Sequence, residues 1–262
     1  MIAQAPPAPV DPNPCHHPAL HLLCPDWVMS RPTDLHLRRT ASGRVLLQMT
    51  NSLVNVGAGP VKFVGTRYSE TDMYARQVIR RSGGRPAMTF RTGARLHYTY
   101  VDYRRGNYWK FAHAARFELW RLDGGGRRTE RVAIGPKLDY CNRDLVRRRG
   151  DLPGSPPARV FGACSQDPEA RTVTLGTSVG WVDRYPWTYP SNWIDVTGRR
   201  GCFAILMRAD PNGTVWEADE ANNASSKVVR LPFRHGAQRC PRYDPRPPRD
   251  GAAAGSRRRA PR

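Results

Sequence analysis

The chain has 262 residues, a formal net charge of +20 and a hydrophobic share of 39%. That share is enough to build a globular core, and the length fits one large domain or two small ones. No apolar run approaches the ~20 residues of a membrane-spanning helix, so the sequence excludes a helical membrane span.

The positive charge has two interpretations. A basic surface can bind a polyanion such as nucleic acid, a cell-wall polymer or lipid headgroups. Only four of the 42 basic residues are lysine, however, and 24 prolines and 23 glycines accompany the arginines, which is typical of GC-rich coding. Because the charge is spread along the chain and no nucleic-acid motif is present, we expect no specific nucleic-acid partner. A polyanion-binding basic protein stays as an alternative.

The six cysteines indicate an exported protein. Their number is even and none lies in a Cys-x-x-Cys pair, which argues against zinc ribbons and thioredoxin-type sites. Three disulfides need an oxidising compartment, so the sequence predicts a secreted or cell-surface protein. Ala3-Gln4-Ala5 matches the end of a signal peptide, and we expect a start that is mis-assigned or a signal that is trimmed. The alternative is a cytosolic protein with six reduced thiols.

The chain divides into three parts. Residues 1–22 are Pro-rich, residues 23–233 form one globular unit, and residues 234–262 form an Arg- and Pro-rich tail that we expect to be disordered. Short apolar or alternating stretches separated by turn signals predict an all-β fold, a β-sandwich with long loops at 51–60 and 142–160. The strand candidates in chain order are 44–50, 60–64, 95–103, 116–122, 172–175, 202–209 and 225–231.

A series of motifs in the globular part resembles the catalytic domain of the lysyl oxidase family. Asn-Trp-Ile-Asp-Val-Thr at 192–197 is followed by Gly-Cys-Phe at 201–203, Asp-Pro at 210–211 and Glu-Ala-Asp-Glu-Ala-Asn-Asn at 217–223. The series extends upstream through Ala-Arg-Phe-Glu-Leu-Trp at 115–120 and Gly-Pro-Lys-Leu-Asp-Tyr-Cys at 135–141 to Leu-Cys-Pro-Asp at 23–26, with Ser-Val-Gly at 178–180 and Asp-Arg-Tyr at 183–185 between them. The order and spacing of several motifs agree, so the resemblance covers roughly residues 23–233.

The resemblance implies a β-sandwich amine oxidase that converts peptidyl lysine to an aldehyde with copper and a lysine tyrosylquinone. Such a carbonyl cofactor supplies an electron sink that side chains lack. Lys137 stands four residues before Cys141, and Tyr185 stands eight before Trp193, as the family's quinone residues do. The resemblance therefore implies that Lys137 and Tyr185 occupy the quinone positions. The alternative is a surface lysine and a packed tyrosine.

The copper positions depart from the family's pattern. The family places His-x-His-x-His just before the Ala-Arg-Phe-Glu-Leu strand, where alternate residues of an extended segment face one metal. Those positions read Gly106, Tyr108 and Lys110; glycine has no side-chain ligand, and an ammonium repels Cu²⁺. We expect Lys110 to fill the metal position, where it would neutralise a carboxylate or bond to Tyr185. A site relocated to His97 and His113 is the alternative.

A calcium site is better preserved. The resemblance implies that one loop pairs with the first strand of the domain to bind Ca²⁺, which prefers oxygen ligands at loose geometry. Its role would be to tie that strand to the last hairpin. The alternative is a turn whose Asn and Asp side chains bond to the backbone. The implied ligands are Glu217, Asp219, Asn222 and Asn223 of the loop, with Asp26 and the backbone carbonyl of Trp27.

Disulfide pairing is open, since six cysteines allow many connectivities. We favour Cys141–Cys164, which would close the loop after Lys137. Cys202–Cys240 would then tie the tail to the sheet, and Cys15–Cys24 would close the N-terminal segment.

Three functions remain in competition. The missing histidines favour a catalytically inactive or copper-independent lysyl-oxidase-like protein that binds an extracellular polymer or has a structural role. Lys137 and Tyr185 favour an active copper amine oxidase that acts on peptidyl lysine through a rearranged metal site. Charge alone favours polyanion binding. Hydrolases are disfavoured, because the sequence has neither Gly-x-Ser-x-Gly nor His-Glu-x-x-His.

Overall fold

The computed structural model describes residues 11–101, 106–136, 139–236 and 239–246. Within these ranges the chain forms sixteen strands and two short 3₁₀ helices, Pro14–His16 and Pro18–Leu20, so the predicted all-β fold is confirmed. No helix in this part of the chain is long and apolar enough to cross a membrane. The strands are β1 Leu22–Leu23, β2 Trp27–Met29, β3 Thr33–Arg39, β4 Val45–Asn55, β5 Val61–Arg67, β6 Asp72–Arg81, β7 Met88–Val101, β8 Gly106–Phe111, β9 Ala115–Leu122, β10 Arg128–Ile134, β11 Val146–Arg147, β12 Thr172–Thr177, β13 Trp181–Tyr185, β14 Trp193–Asp195, β15 Gly201–Ala209 and β16 Ala224–Leu231.

The strands form three antiparallel sheets. The first has the order β12-β5-β6-β7-β8, with β1 added beside β6, and the second has the order β10-β9-β15-β16. The third is built on β4, whose first half pairs with β3 and β14 and whose second half pairs with β2 and β13. One long strand therefore holds four others in register.

The three sheets share one hydrophobic core. Trp27 of the third sheet is fully buried, with its ring centroid 6.5 Å from that of Phe63 and 5.7 Å from that of Phe111 in the first sheet. Phe117 and Phe203 of the second sheet belong to the same buried cluster. Full burial of each such side chain contributes about 1.5–3 kcal/mol. This packing fixes which face of β8 points inward.

The end of β4 differs from the prediction. The turn-rich composition of 51–60 predicted a loop, but β4 continues to Asn55. Asn51 and Ser52 are 1% and 4% exposed, because β2 and β13 cover this half of the strand. Polar residues that favour turns in an isolated chain are here enclosed by neighbouring strands, and their tertiary contacts override the local preference.

The side chain of Asn55 explains why a polar residue is tolerated there. Its amide oxygen accepts hydrogen bonds from the backbone N–H groups of Asp26 and Gly57, at 3.1 Å each. Its amide nitrogen donates to the carbonyls of Gly59 at 2.9 Å and Thr177 at 3.0 Å. Four partners satisfy a fully buried amide.

Most other strand candidates match elements of the structure. Segments 116–122, 202–209 and 225–231 fall within β9, β15 and β16. Strand β6 was not among the strand candidates. Its inward-facing residues include the buried Gln77, and its outward-facing residues include Arg76 and Arg80. Gln77 interrupts the apolar alternation on which strand prediction depends.

Disulfides tie down both ends of the described chain. The structure has Cys15–Cys24, Cys141–Cys164 and Cys202–Cys240, which are the pairs favoured from the sequence. The expected disorder from residue 234 onward is wrong for residues 239–246. There Asp244 forms a backbone bridge to Arg127, whose Nε lies 3.3 Å from the Asp244 carboxylate. Composition did not predict this order, because the segment is held by a disulfide and an ion pair and not by apolar burial. Residues 247–262 lie outside the described residues.

Candidate functional site

A cavity of about 330 Å³ lies beside the outer edge of the first sheet, next to the end of β13. Strand β8 contributes two side chains to its lining. Tyr108 and Lys110 both line the cavity, whereas Trp109 and Phe111 between and beyond them are fully buried in the core. This alternation is the ordinary period of a strand. It brings two of the three expected copper positions into one cavity; the third, Gly106, does not line it.

Tyr185 ends β13 and lines the same cavity. The side chain is 6% exposed, and its hydroxyl accepts a hydrogen bond from the backbone N–H of Cys141 at 3.0 Å. Its ring packs edge-on against Tyr140 and Tyr189, with centroids 4.7 and 4.8 Å away. Burial raises the pKa of Tyr185 well above its ordinary value, so the phenol stays protonated at physiological pH.

Lys110 is 4% exposed. Its Nζ lies 3.4 Å from the hydroxyl of Tyr189 and 5.9 Å from the centroid of that ring. Burial lowers the pKa of Lys110, and the carboxylates of Asp139 and Asp183 oppose that effect. The expected hydrogen bond to Tyr185 is not formed. Tyr189 takes its place because the loop after β13 carries that phenol back over β8.

A second cavity of about 380 Å³ adjoins the first. Lys110 and Tyr189 line both cavities and so form part of the wall between them. Pro136 and Asp139 line the second cavity. The other expected quinone residue, Lys137, falls between those two in sequence but lies outside the described residues.

The residues at the copper positions do not fit copper. A buried ammonium stands where a neutral imidazole would be needed, and Tyr108 offers a phenol that coordinates only when deprotonated. The alternative histidines do come close, since the ring centroids of His97 and His113 are 6.1 Å apart. His97 Nε2, however, lies 3.1 Å from the Asp72 carboxylate.

A second polar cluster surrounds the loop Glu217–Asn223, here called the acidic loop. Glu217 is fully buried, and its carboxylate accepts hydrogen bonds from the backbone N–H of Trp27 and, at 3.0 Å, from the Asn223 amide. Asn222 Nδ2 donates to Asp26 Oδ1 at 2.9 Å. The structure thus joins Glu217 to Trp27 and Asn223, and Asn222 to Asp26, although Trp27 takes part through its N–H and not through the carbonyl expected to bind calcium. The sixth expected ligand, Asp219, acts electrostatically on Asp26 and accepts a hydrogen bond from the Ala221 N–H.

The acidic loop fits a divalent cation. Burial raises the pKa of Glu217 well above its ordinary value, and burial followed by the charge of Asp219 raises the pKa of Asp26. The side-chain oxygens of Asn222 and Asn223 are buried and have no hydrogen-bond partner. Desolvated carboxylates beside unpaired amide oxygens are what Ca²⁺ would relieve. Within the described ranges no three His, Cys, Asp or Glu side chains group as a metal site by themselves, so the amide and carbonyl oxygens are essential to this fit.

Sequence reasoning missed four residues of these two regions. Tyr189, Arg143 and Arg184 line the first cavity, and Glu220 accepts hydrogen bonds from the Glu217 N–H at 3.3 Å and the Asn223 amide at 3.4 Å. Glu220 lies inside the loop that the motif identified, so it could have been predicted as part of the calcium site. The other three sit on irregular loops or a strand end, where no periodicity marks which side chains converge.

No protein-family model matches the chain, and no curated protein sequence is matched by it. The functional assignment therefore depends on the residues and their geometry.

Proposed function

We propose that the chain is a member of the lysyl oxidase family that has lost copper and quinone chemistry, a pseudoenzyme that acts as an extracellular binding module held together by calcium and disulfides. The observation that carries this proposal is the buried Lys110 at a copper position, with its Nζ 3.4 Å from the hydroxyl of Tyr189, in a cavity lined by three tyrosines. A fixed cation there opposes a second cation.

The tyrosine at the quinone position supports the same conclusion. The Tyr185 phenol accepts a backbone hydrogen bond, is buried, and has a raised pKa. A phenol held in this protonated form is a poor metal ligand and a poor site for oxidation. In this proposal Tyr185 and Lys110 are walls of a binding cavity, and neither takes part in electron transfer.

Calcium would be held by the acidic loop and the start of β2, and it would supply structural cohesion. The Ala218 N–H already donates to the Pro25 carbonyl at 2.9 Å, which ties the loop between β15 and β16 to the segment before β2. A bound cation would add a second, stronger tie at the same place. Three disulfides are compatible with export to an oxidising compartment.

The first test is metal analysis combined with a quinone stain on protein secreted from copper-supplemented cells. We expect bound calcium, intact disulfides, no stoichiometric copper and no stain. Stoichiometric copper with a stained cross-link between Lys137 and Tyr185 would overturn the proposal and establish an active amine oxidase with a rearranged metal site.

A gain-of-copper variant sharpens that test. The combined substitutions Gly106→His, Tyr108→His and Lys110→His restore three imidazoles on one strand face, and we expect this variant to bind copper where the natural chain does not. The matched control carries glutamine at the same three positions and should bind none. Equal copper binding by the natural chain would contradict the proposed loss.

A second candidate function, polyanion binding, has one specific observation in its favour. On the outer face of the first sheet, Arg76 and Arg91 are exposed and directly opposite each other on β6 and β7. Like charges in that arrangement destabilise a sheet unless an anion offsets them. We would measure heparin binding against salt concentration for the natural chain and for Arg76→Gln combined with Arg91→Gln. Arg38→Gln combined with Arg39→Gln makes the same charge change elsewhere and serves as the control.

A further inference from the structure

The first cavity, between β8 and the end of β13, carries an inference that rests on the proposed function and deepens it. We propose that this cavity binds a small aromatic carboxylate, and that it has reversed its charge preference from an amine to an anion.

The charged residues of the described lining are all basic. Lys110, Arg143 and Arg184 line the first cavity, and no aspartate or glutamate among the described residues does. Asp139 belongs to the neighbouring cavity, and Asp183 is fully buried beneath the surface. Both carboxylates moderate the charge of Lys110, but neither presents an oxygen to a ligand in the first cavity. An amine would therefore meet three cations.

The ammonium of Lys110 can donate more hydrogen bonds than it forms with the described residues. An ammonium carries three donors, and the structure gives Lys110 a single 3.4 Å contact with the Tyr189 hydroxyl and no ion pair with a described carboxylate. At 4% exposure Lys110 is largely shielded from bulk water, although it lines the cavity. A buried cation in this condition is costly unless an anion compensates it. A carboxylate in the cavity would supply that compensation.

Arg143 offers a second anchor. The side chain is half-buried, and no hydrogen bond or ion pair joins its guanidinium to any described residue. A guanidinium presents two parallel N–H groups that match the two oxygens of a carboxylate. Arg184 is partly engaged, since its guanidinium lies 3.5 Å from the Asp34 carboxylate. Lys110 and Arg143 are therefore the expected contacts of the ligand's carboxylate.

The rest of the lining selects a flat apolar body. Tyr108, Tyr185 and Tyr189 present aromatic surfaces, and Leu145 closes the wall beside them. Aromatic rings pack on such surfaces edge-on or offset. A volume of about 330 Å³ is at the small end for ligand pockets, so one ring with one carboxylate fits better than a peptide chain.

The test compares three probes on the full chain with its disulfides intact and calcium present. Benzoate and benzylamine share a ring and differ in charge, and acetate has the charge without the ring. Titrations followed by calorimetry and by ligand-observed NMR should show saturable binding of benzoate, at least about tenfold weaker binding of acetate, and none of benzylamine.

Variants locate the site. Lys110→Met and Arg143→Gln should each weaken benzoate binding about tenfold or more, because each removes a charge-assisted contact. Arg38→Gln on β3 is the control and should leave binding unchanged. Both variants should fold, because Arg143 is partly exposed and Lys110→Met removes a desolvated cation; thermal melts of both verify folding.

Three results would overturn the inference. Benzylamine could bind as tightly as benzoate, benzoate could fail to bind, or its binding could be unaffected by both variants. Acetate binding equal to benzoate would overturn the aromatic part of the proposal. Copper and quinone are measured on the same sample, so benzoate failure without copper leaves the proposed function standing, and copper with a quinone stain overturns the proposed function instead.

Discussion

Two polar regions of this protein, the cavity around Lys110 and the acidic loop at Glu217, carry opposite charges under similar conditions. Each buries a charged side chain, 4% exposed in one case and 0% in the other. Lys110 has one long contact with a phenol, whereas the Glu217 carboxylate accepts a backbone and an amide hydrogen bond. One region has donors in excess and the other has oxygens in excess.

The comparison indicates which of the two buried side chains the fold depends on. The carboxylate of Glu217 holds the backbone of β2 in place, so its removal would leave a buried N–H without a partner. In the part of the chain that the structure describes, the ammonium of Lys110 contacts a side-chain hydroxyl and no backbone group. Substitution of Lys110 should therefore leave the fold intact, whereas substitution of Glu217 should disturb it.

Glu217→Ala should have the largest effect. It leaves the buried Trp27 N–H without a partner and leaves the Asn223 amide only its 3.4 Å contact with Glu220. We expect the free energy of unfolding to fall by about 3 kcal/mol. Urea denaturation measures it. Glu169→Ala is the control, because the side chain of Glu169 is 85% exposed. A loss below about 0.5 kcal/mol, typical of a surface change, would contradict the structural role of Glu217.

Calcium removal should come next. With calcium at about a hundred times its dissociation constant, chelation should lower the free energy of unfolding by about 2.7 kcal/mol. Differential scanning calorimetry with and without chelator gives the shift in Tm. Asp219→Asn changes an exposed ligand position and keeps the fold, so its Tm should respond much less to chelator. An unchanged response in that variant would place the cation elsewhere.

Lys110→Met should stabilise the protein by about 1 kcal/mol at neutral pH, because it replaces a desolvated cation with an apolar side chain. Burial lowers the pKa of Lys110 below its ordinary 10.5 in the folded state. The unfolded chain therefore binds more protons in the window between those two pKa values, and the stability of the natural chain rises with pH there.

The advantage of the methionine variant should accordingly shrink as the pH increases through that window. Lys62→Met changes a less buried lysine and serves as the control, with an expected change of less than about 0.5 kcal/mol at neutral pH. Thermal melts at neutral and at alkaline pH make the comparison. A methionine variant that is destabilised at neutral pH would mean that the ammonium is fully compensated in the fold.

Tyr189→Phe should have the smallest effect on stability. Its hydroxyl contact with Lys110 is long, at 3.4 Å, and we expect a change below about 0.5 kcal/mol. The same variant should still bind benzoate, since the ring stays in place. A large loss of stability would show that this phenol is the main partner of the buried ammonium.

The fold was predictable where the sequence has a regular period, and less so where polar residues are enclosed. β9, β15 and β16 follow from alternating apolar residues. The end of β4 and the whole of β6 could not be predicted in this way. Asn51, Asn55 and Gln77 are buried polar residues whose partners come from distant segments.

The candidate site divides in the same way. Tyr108 and Lys110 share a strand face, so their convergence follows from spacing alone. The partner of Lys110 did not follow from the sequence. Tyr189 reaches it from a loop 79 residues away, and the length and path of that loop are set by tertiary packing. Membership of the lysyl oxidase family stays a prediction.

The position of β4 has a consequence for how the chain reaches this fold. It pairs with β2 and β3 before it in sequence and with β13 and β14 far after it, and the Asn55 amide joins partners 29 and 122 residues away. Contacts between residues so far apart in sequence require large loops to close. The entropy of loop closure is lost before the contacts stabilise the chain, which slows folding. During synthesis, β4 must therefore wait for most of the domain to be made. Until then the side chains of Leu46, Leu47 and Leu53 lack their partners in the core, so the protein is most prone to aggregate before the domain is complete.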